Sequence, residues 1–485
     1  MELANMPPTG HFIGGKWVES ASGQQFETMN PATEEVLAKV ARGGMAEVEQ
    51  AVAAARQALS GPWGMMPPKE HGRFLHTISQ HITAHAGELA RLETLDNGKP
   101  LSLAEEEVRG AARYFEYYAG AADKIHGEQI PLGPNRLNFT VREPMGVTAH
   151  IVPWNKPLNI LARSLAPALA TGNTAVIKPS ELTPLTALKL AEIFAEAGCA
   201  PGVINVVNGF GEEAGAALAG HTAIDHLTFT GSVQTGRTVM KAAAEHIKPV
   251  VLELGGKSPL LVFADADLDL AVAEAVNGIS TNCGQMCSAG SRLLVESSIK
   301  EAFVAKLAAR LAALRIGPGV DDPDMGPLVS AVQVSRVTGH IEIAQSEGAR
   351  MVLGGKRPSH LSRGYFLLPT LFDGVLPDMH IAQEEVFGPV LSLTTFADEA
   401  EALRIANDVK YGLIAAVFTQ NIDRALRLAL RLQAGQVFVN EYYTGDEEMP
   451  FGGTKQSGFG RLKGLAALDE YTQVKNVAVR MKGEG

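Results

Sequence analysis

The spacing of apolar positions changes several times along the chain. In residues 11–42 they come in short runs. Phe12-Ile13-Gly14-Gly15-Lys16-Trp17 predicts a hairpin around a Gly-Gly turn, and Asn30-Pro31-Ala32-Thr33 predicts another turn. The period then becomes helical, with Val48, Val52, Ala55 and Leu59 on one face, and helical pattern continues over about 70–95 and 101–119. Residues 137–143 (LNFTVRE) alternate between Pro134 and Pro144 and predict one strand of a projecting hairpin.

From 147 to 255 the chain alternates continuous apolar runs with helices. Strands are expected at 147–152, 174–177, 202–207, 224–229 and 249–254. Between them Thr183 and Pro184 predict the N-cap and first position of a helix carrying Leu185, Leu188 and Phe194, with Gly198 past its end. Unbroken apolar strands separated by helices predict a parallel sheet covered on both faces, a dinucleotide-binding signature at the level of class. A second α/β pattern runs from 256 to about 440. Within it Ser298 and Glu301 predict a capping box ahead of Phe303, Leu307, Leu311 and Leu314. A strand at 390–396, helices near 399–407 and 422–434 and a strand at 436–440 follow. Residues 471–480 (YTQVKNVAVR) alternate with no core of their own, which predicts strand pairing with another subunit.

A chain of 485 residues exceeds one ordinary core, so two or three domains are expected. A net charge of −11 disfavours nucleic acid, which needs a basic face. Cys199, Cys283 and Cys287 are too few for a disulfide framework and point to a reducing compartment. No pattern marks a metal site, no apolar run reaches the length of a membrane span, and the start MELANMPPTG lacks an apolar or Arg-rich leader pattern. The expectation is a cytoplasmic protein without metal, membrane or nucleic-acid partners.

Four stretches carry candidate chemistry. Gly284-Gln285-Met286-Cys287-Ser288-Ala289-Gly290 sets a lone thiol among small residues, where a substrate can reach it. In Phe229-Thr230-Gly231-Ser232-Val233-Gln234-Thr235-Gly236 an apolar strand runs through Gly-Ser into a helix, an arrangement suited to phosphate; Gly209-Phe210-Gly211 is a second strand-end glycine pair. Either is also an ordinary turn, and neither is the GxGxxG fingerprint. Asn155, in Val152-Pro153-Trp154-Asn155-Lys156-Pro157, offers an amide to an oxyanion or bonds its own turn. Glu253, between Leu252 and Leu254, is a desolvated general base or the partner of Lys257 or another cation.

Taken together, PWN, IKPSE, FTGSxxxG, LELGGKSP, GQxCxAGSR, EEVFGP and PFGGxKxSGxGR, with NPAT near the start, follow the order and spacing of the NAD(P)-dependent aldehyde dehydrogenase superfamily. The chain resembles that superfamily from about 12 to 479.

The resemblance implies an α/β, aldehyde dehydrogenase-like fold. Its parts would be a Rossmann-type cofactor domain (1–122 and 144–255), a catalytic domain (256–454) and a small β oligomerisation element (123–143 and 455–485), assembled as a homodimer or homotetramer. It makes Cys287 the nucleophile, Glu253 the base and Asn155 an oxyanion donor, with the aldehyde oxidised through a thiohemiacetal and a thioester. Cofactor contacts are implied at Ile151, Val152, Pro153, Trp154, Lys178, Ser180, Glu181, Gly211, Phe229, Thr230, Gly231, Ser232, Thr235, Leu254, Gly255, Glu385 and Phe387. NAD is expected, because Glu181 would repel a 2′-phosphate; Lys178 and Ser180 leave NADP as the alternative. The substrate pocket would hold Lys156, Arg163, Met286, Ser288 and Phe451. Lys156 stands where the family usually has an aromatic residue, Arg163 where it often has tryptophan, and Ser164 and Leu465 where it often has lysine and glutamate. Arg163 resembles family members acting on acidic semialdehydes, so an acidic ω-semialdehyde is the expected substrate. Asp446-Glu447-Glu448 keeps an aminoaldehyde open, beside general aliphatic or aromatic aldehydes, and a CoA-acylating or catalytically silent relative completes the alternatives.

Overall fold

The computed structural model describes residues 6–443 and 445–482. Residues 1–5, where the leader pattern was sought, and the last three of the terminal segment lie outside the described residues.

The first sheet has eight strands in the order Lys16–Val18, His11–Ile13, Ile204–Val206, Thr174–Lys178, Val147–Ile151, His226–Thr230, Val250–Glu253, Gly458–Phe459. Its five central strands are parallel, and both flanks are antiparallel. Strand alternation divides its side chains between two cores. Ala175, Ile177, Ile204 and Val206 pack under the helices Pro68–Ala84, Leu101–Ala121, Pro157–Ala170 and Leu185–Glu196. Val147, Ala149, Val176, Leu227 and Leu252 pack under Met45–Leu59 and Val233–Ala244. Burial on both faces is why these strands read as continuous apolar runs.

The second sheet has seven strands, in the order Arg350–Leu353, Thr370–Asp373, Val390–Phe396, Arg292–Glu296, Pro259–Val262, Ile414–Phe418, Gln436–Val439, all parallel except the first. Leu260, Val262, Leu293 and Val295 face the helices Leu268–Ser280 and Lys300–Ala312. Leu261, Leu294, Ala415 and Val417 face Glu399–Asn407 and Ile422–Arg431.

Two helix starts differ from expectation. Thr183 caps nothing: its hydroxyl donates to the Trp154 carbonyl at 3.2 Å, and Pro184 stands at the N-cap of Leu185–Glu196. Ser298 lies in a short turn, Ser297–Ile299, with its hydroxyl on Glu296 Oε1, so the helix Lys300–Ala312 begins without a capping box. In both places a nearby acceptor outside the helix takes the hydroxyl.

The terminal strand Thr472–Arg480 does have a partner inside the chain. It pairs antiparallel with Arg136–Pro144 along its whole length, and Gln129–Pro131 adds a third strand on the far side. The outer edge of Thr472–Arg480 pairs with nothing among the described residues. No helix among the described residues is long and apolar enough to cross a membrane.

Candidate active site

Four of the parallel strands in the first sheet end on residues named by the sequence motifs: Ile151, Lys178, Thr230 and Glu253. The strand Val147–Ile151 lies at the centre, and successive strands are added first on one side and then on the other. The crevice beyond the carboxyl ends at such a switch point is where open α/β sheets bind ligands.

Gly231 and Ser232 leave the strand His226–Thr230 there. The Gly231 N–H is held by the Glu253 carbonyl at 3.0 Å, and a Cβ at Gly231 would come within 2.6 Å of the Phe229 ring. Ser232 caps the helix Val233–Ala244, accepting from the Thr235 N–H at 3.1 Å. Opposite, Glu385 Oε1 accepts from the Gly256 N–H at 3.0 Å, and a Cβ at Gly255 would overlap the Glu385 carboxylate. Phe387 adopts a left-handed backbone (φ 57°), holds its ring edge-on to Trp154 at 5.2 Å, and its carbonyl accepts from Gln333 Nε2 at 2.7 Å. Lys178 pairs with Glu181 at 3.0 Å.

The thiol loop is not helical. After Leu268–Ser280 the chain passes through Asn282, Cys283 and Gly284, all left-handed (φ 48°, 57° and 67°). For the two non-glycine residues this costs roughly 1–2 kcal/mol each, and side-chain bonds hold the turn. Asn282 Nδ2 donates to the Asn155 carbonyl at 2.9 Å, and Gln285 accepts from the Val329 N–H at 2.9 Å. Cys283 is turned into the core beside Met325 and Val337, away from Cys287. Tyr442 donates to the Ser288 carbonyl at 2.6 Å, and a Cβ at Gly256 would overlap the Cys287 carbonyl.

Two cavities meet at this loop. One, of about 110 Å³, is lined by Pro153, Trp154, Thr230, Gly231, Ser232, Glu253, Gly255, Glu385 and Phe387. The other, of about 450 Å³, is lined by Lys156, Arg163, Met286, Ser288 and Phe451. Among the described residues only Asn155 and Cys287 line both. Ile151, Val152, Lys178, Ser180, Glu181, Gly211, Phe229, Thr235 and Leu254 line neither cavity. Gln333 and Arg336 in the smaller cavity, and Tyr114, Glu274, Tyr443 and Lys463 in the larger, were not anticipated. They lie outside the recognised motifs, Lys463 two positions beyond the end of the last one.

The alternatives left open at Asn155 and Glu253 resolve. Asn155 Nδ2 bonds the Gln285 carbonyl at 2.9 Å across 130 positions, not its own turn. An amide nitrogen has a second N–H to offer. Neither oxygen of Glu253 has a hydrogen-bond partner, and neither has the Lys257 amine, so the two do not pair. Burial raises the Glu253 carboxyl to about 8, against the charges of Arg163 and Arg461. Burial also pushes the Cys287 thiol up to about 11, with Arg163 acting in the opposite direction. Glu385 is likewise raised by burial, to about 7.

Two of the cations that line the larger cavity, Lys156 and Arg163, differ. Lys156 pairs with Glu107 at 3.5 Å, and Glu107 in turn pairs with the buried Lys99. Arg163 is 6% exposed, stacks over the Phe451 ring at 4.8 Å, and leaves Nε and Nη2 without hydrogen-bond partners. Those two nitrogens form one edge of the guanidinium fork, the edge that takes a carboxylate in bidentate fashion. No group of three or more metal-ligating side chains occurs among the described residues.

Comparison with known proteins agrees with this arrangement. A profile of the aldehyde dehydrogenase family matches residues 17–477. The chain is 45% identical to an aldehyde dehydrogenase of Emericella nidulans over 476 residues, covering 98% of this chain and 95% of that protein. It is 44% identical to a betaine aldehyde dehydrogenase of Bacillus subtilis, covering 96% of each. A crystal structure of betaine aldehyde dehydrogenase from Staphylococcus aureus in complex with NAD+ superposes with a TM-score of 0.97 at 41% identity, covering 99% of this chain and 96% of that one. With a motif set that runs the length of the chain and a thiol between two cavities, this protein belongs to the aldehyde dehydrogenase family.

Proposed function

We propose that the chain oxidises an aldehyde bearing a carboxylate to the corresponding acid, with NAD as hydride acceptor. The observation that carries the substrate class is Arg163, which lines the cavity that also holds Cys287 and whose Nε and Nη2 are buried without hydrogen-bond partners. An uncompensated buried charge costs several kcal/mol, and a substrate carboxylate would offset that cost.

The residues present suit NAD. Gly231 and Gly255 leave room where a Cβ would clash, and the N-terminus of Val233–Ala244 offers backbone N–H groups to a pyrophosphate. Lys178 and Glu181 would hold the adenosine ribose and Glu385 the nicotinamide ribose. The Glu181 carboxylate supports NAD over NADP. Bound there, NAD supplies the two-electron acceptor for the hydride on the aldehyde carbon.

The chain's own residues do the rest. The Cys287 thiol gives up its proton to Glu253, which passes it to solvent, and the sulfur bonds to the aldehyde carbon, placing the carbonyl electron pair on oxygen. The free N–H of Asn155 and the Cys287 backbone N–H face that oxyanion. Once hydride has left, the carbonyl re-forms as a thioester. Glu253 takes a proton from water, the water oxygen bonds to the carbonyl carbon, the C–S bond breaks, and acid and thiolate separate. A buried carboxylate with no partner in the smaller cavity supports hydrolysis over acyl transfer to CoA.

An aminoaldehyde is the second reading, favoured by Glu106 and Glu274 lining the larger cavity and by the betaine aldehyde dehydrogenase relatives. Arg163 opposes it, because its guanidinium occupies the Phe451 face on which an ammonium would sit. The three-stranded sheet, with its open Thr472–Arg480 edge, supports assembly as a homodimer or homotetramer, and few, unpaired cysteines support a cytoplasmic setting.

The test is NADH absorbance with 4-oxobutanoate, its methyl ester and betaine aldehyde, for the wild type and Cys287→Ala. Turnover is expected to be fastest with the acid and absent with Cys287→Ala. Retained turnover in that variant overturns the mechanism, and faster turnover of betaine aldehyde overturns the substrate class.

A further inference from the structure

Lys463 lines the cavity that holds Arg163 and Cys287, and nothing above assigns it a part. Its neighbours fix it firmly. Leu462 exchanges both backbone bonds with Phe451, at 2.6 and 2.8 Å, and the Gly464 N–H bonds the Glu447 carbonyl at 2.7 Å. Between them Lys463 takes a left-handed backbone (φ 64°), costly for a residue with a Cβ, and its side chain is held to 8% exposure. The amine donates to the Gly445 carbonyl at 3.1 Å. An ammonium has three donors, and Lys463 forms no ion pair among the described residues.

Burial lowers this amine to about 8. The like charges of Arg163 and Lys156 add to the lowering, and Glu447 and Asp446 oppose it. Lys156 has Glu107 as a partner, whereas neither Arg163 nor Lys463 forms an ion pair among the described residues. Two like charges withdrawn from water into one cavity repel each other, and a single anion bound between them relieves both.

We propose that Lys463 is the second cation of a carboxylate clamp with Arg163, and so determines specificity for an aldehyde whose far end is anionic. The inference rests on the acidic-aldehyde reading given above. Arg163 supplies the planar fork that fixes the carboxylate's orientation, and Lys463 supplies a point charge whose presence depends on pH.

The experiment measures kcat/KM for 4-oxobutanoate and for its methyl ester, and follows the acid-to-ester ratio. Lys463→Met is expected to lower that ratio about tenfold and Lys463→Arg to restore most of it. In the wild type the ratio is expected to fall as pH rises through about 8, the value to which burial brings the amine, while in Lys463→Met it stays flat. Titration of Glu253 and Cys287 acts on both substrates and cancels in the ratio, and Arg163 keeps its charge throughout. A wild-type ratio that does not change with pH, or an unchanged ratio in Lys463→Met beside a collapsed one in Arg163→Leu, overturns the role of Lys463 and leaves the acidic reading standing. A wild-type ratio near one overturns the acidic reading and the clamp together.

Discussion

The two cavities that share Asn155 and Cys287 are built in opposite ways. The smaller is walled by residues close together in sequence: Pro153 to Asn155, Thr230 to Ser232, Glu253 and Gly255, and Glu385 and Phe387. Most of these sit at or just past the ends of parallel strands, so backbone geometry alone delivers them to one place. The larger is walled by side chains from many elements, among them Tyr114 on Leu101–Ala121, Arg163 on Pro157–Ala170, Glu274 on Leu268–Ser280, and Lys463 in a loop. The difference separates what the reaction needs from what the substrate needs. On the proposed roles, the chemistry would be carried by glycines and strand ends that leave little freedom, and the selectivity by positions on helices and loops that can vary without disturbing the sheet.

The largest expected effects come from residues that serve the reaction whichever aldehyde enters. Glu253→Gln should slow acid release about 10²–10⁴-fold, the usual range for a lost general base, while a burst of NADH persists in stopped-flow absorbance. Glu253 works as the carboxylate, and burial raises it to about 8, so it is mostly protonated at neutral pH. Wild-type turnover should therefore rise as pH passes upward through about 8, and Glu253→Gln should lose that limb. Asn155→Ala removes a side chain common to both cavities and an oxyanion donor, with an expected loss of about 10²–10³-fold in kcat for acid and ester alike.

Smaller effects should separate the cavities. Arg163→Leu is expected to lower the acid-to-ester ratio about 30-fold, near 2 kcal/mol for hydrogen bonds to a charged group, while the NAD Kd from fluorescence titration holds. Gly255→Ala should do the reverse, raising the NAD Kd about tenfold by overpacking against Glu385 while the ratio holds. If both variants shift both readouts, the division between the cavities fails.

This division also governs what could be read from the sequence. The doubly covered sheet was legible because its strands are apolar on both faces, and so was most of the smaller cavity, because apart from Gln333 and Arg336 its walls are contiguous motifs. The larger cavity was legible only at or near a motif, as at Lys156 and Met286, or at Arg163 on the helix that follows the PWN stretch. Tyr114 and Tyr443 lie in no motif, and the placement of Lys463 in the cavity wall depends on a left-handed turn fixed by Phe451 and Glu447. Thr183 and Ser298 misled for a related reason: a hydroxyl beside a helix start reads as a cap unless the competing acceptor, here Trp154 or Glu296, is known. The terminal strand showed no core of its own in the sequence because its partner within the chain, Arg136–Pro144, lies more than three hundred positions earlier.

Among the described residues the cavities touch at Asn155 and Cys287 alone. On the proposed roles an aldehyde and a dinucleotide would use separate doors, and an acid would depart without waiting for the reduced cofactor to clear its way. Steric exclusion would then impose no order on binding or release. Any ordered sequence found in product-inhibition patterns would have to come from motion within the loop that carries the thiol.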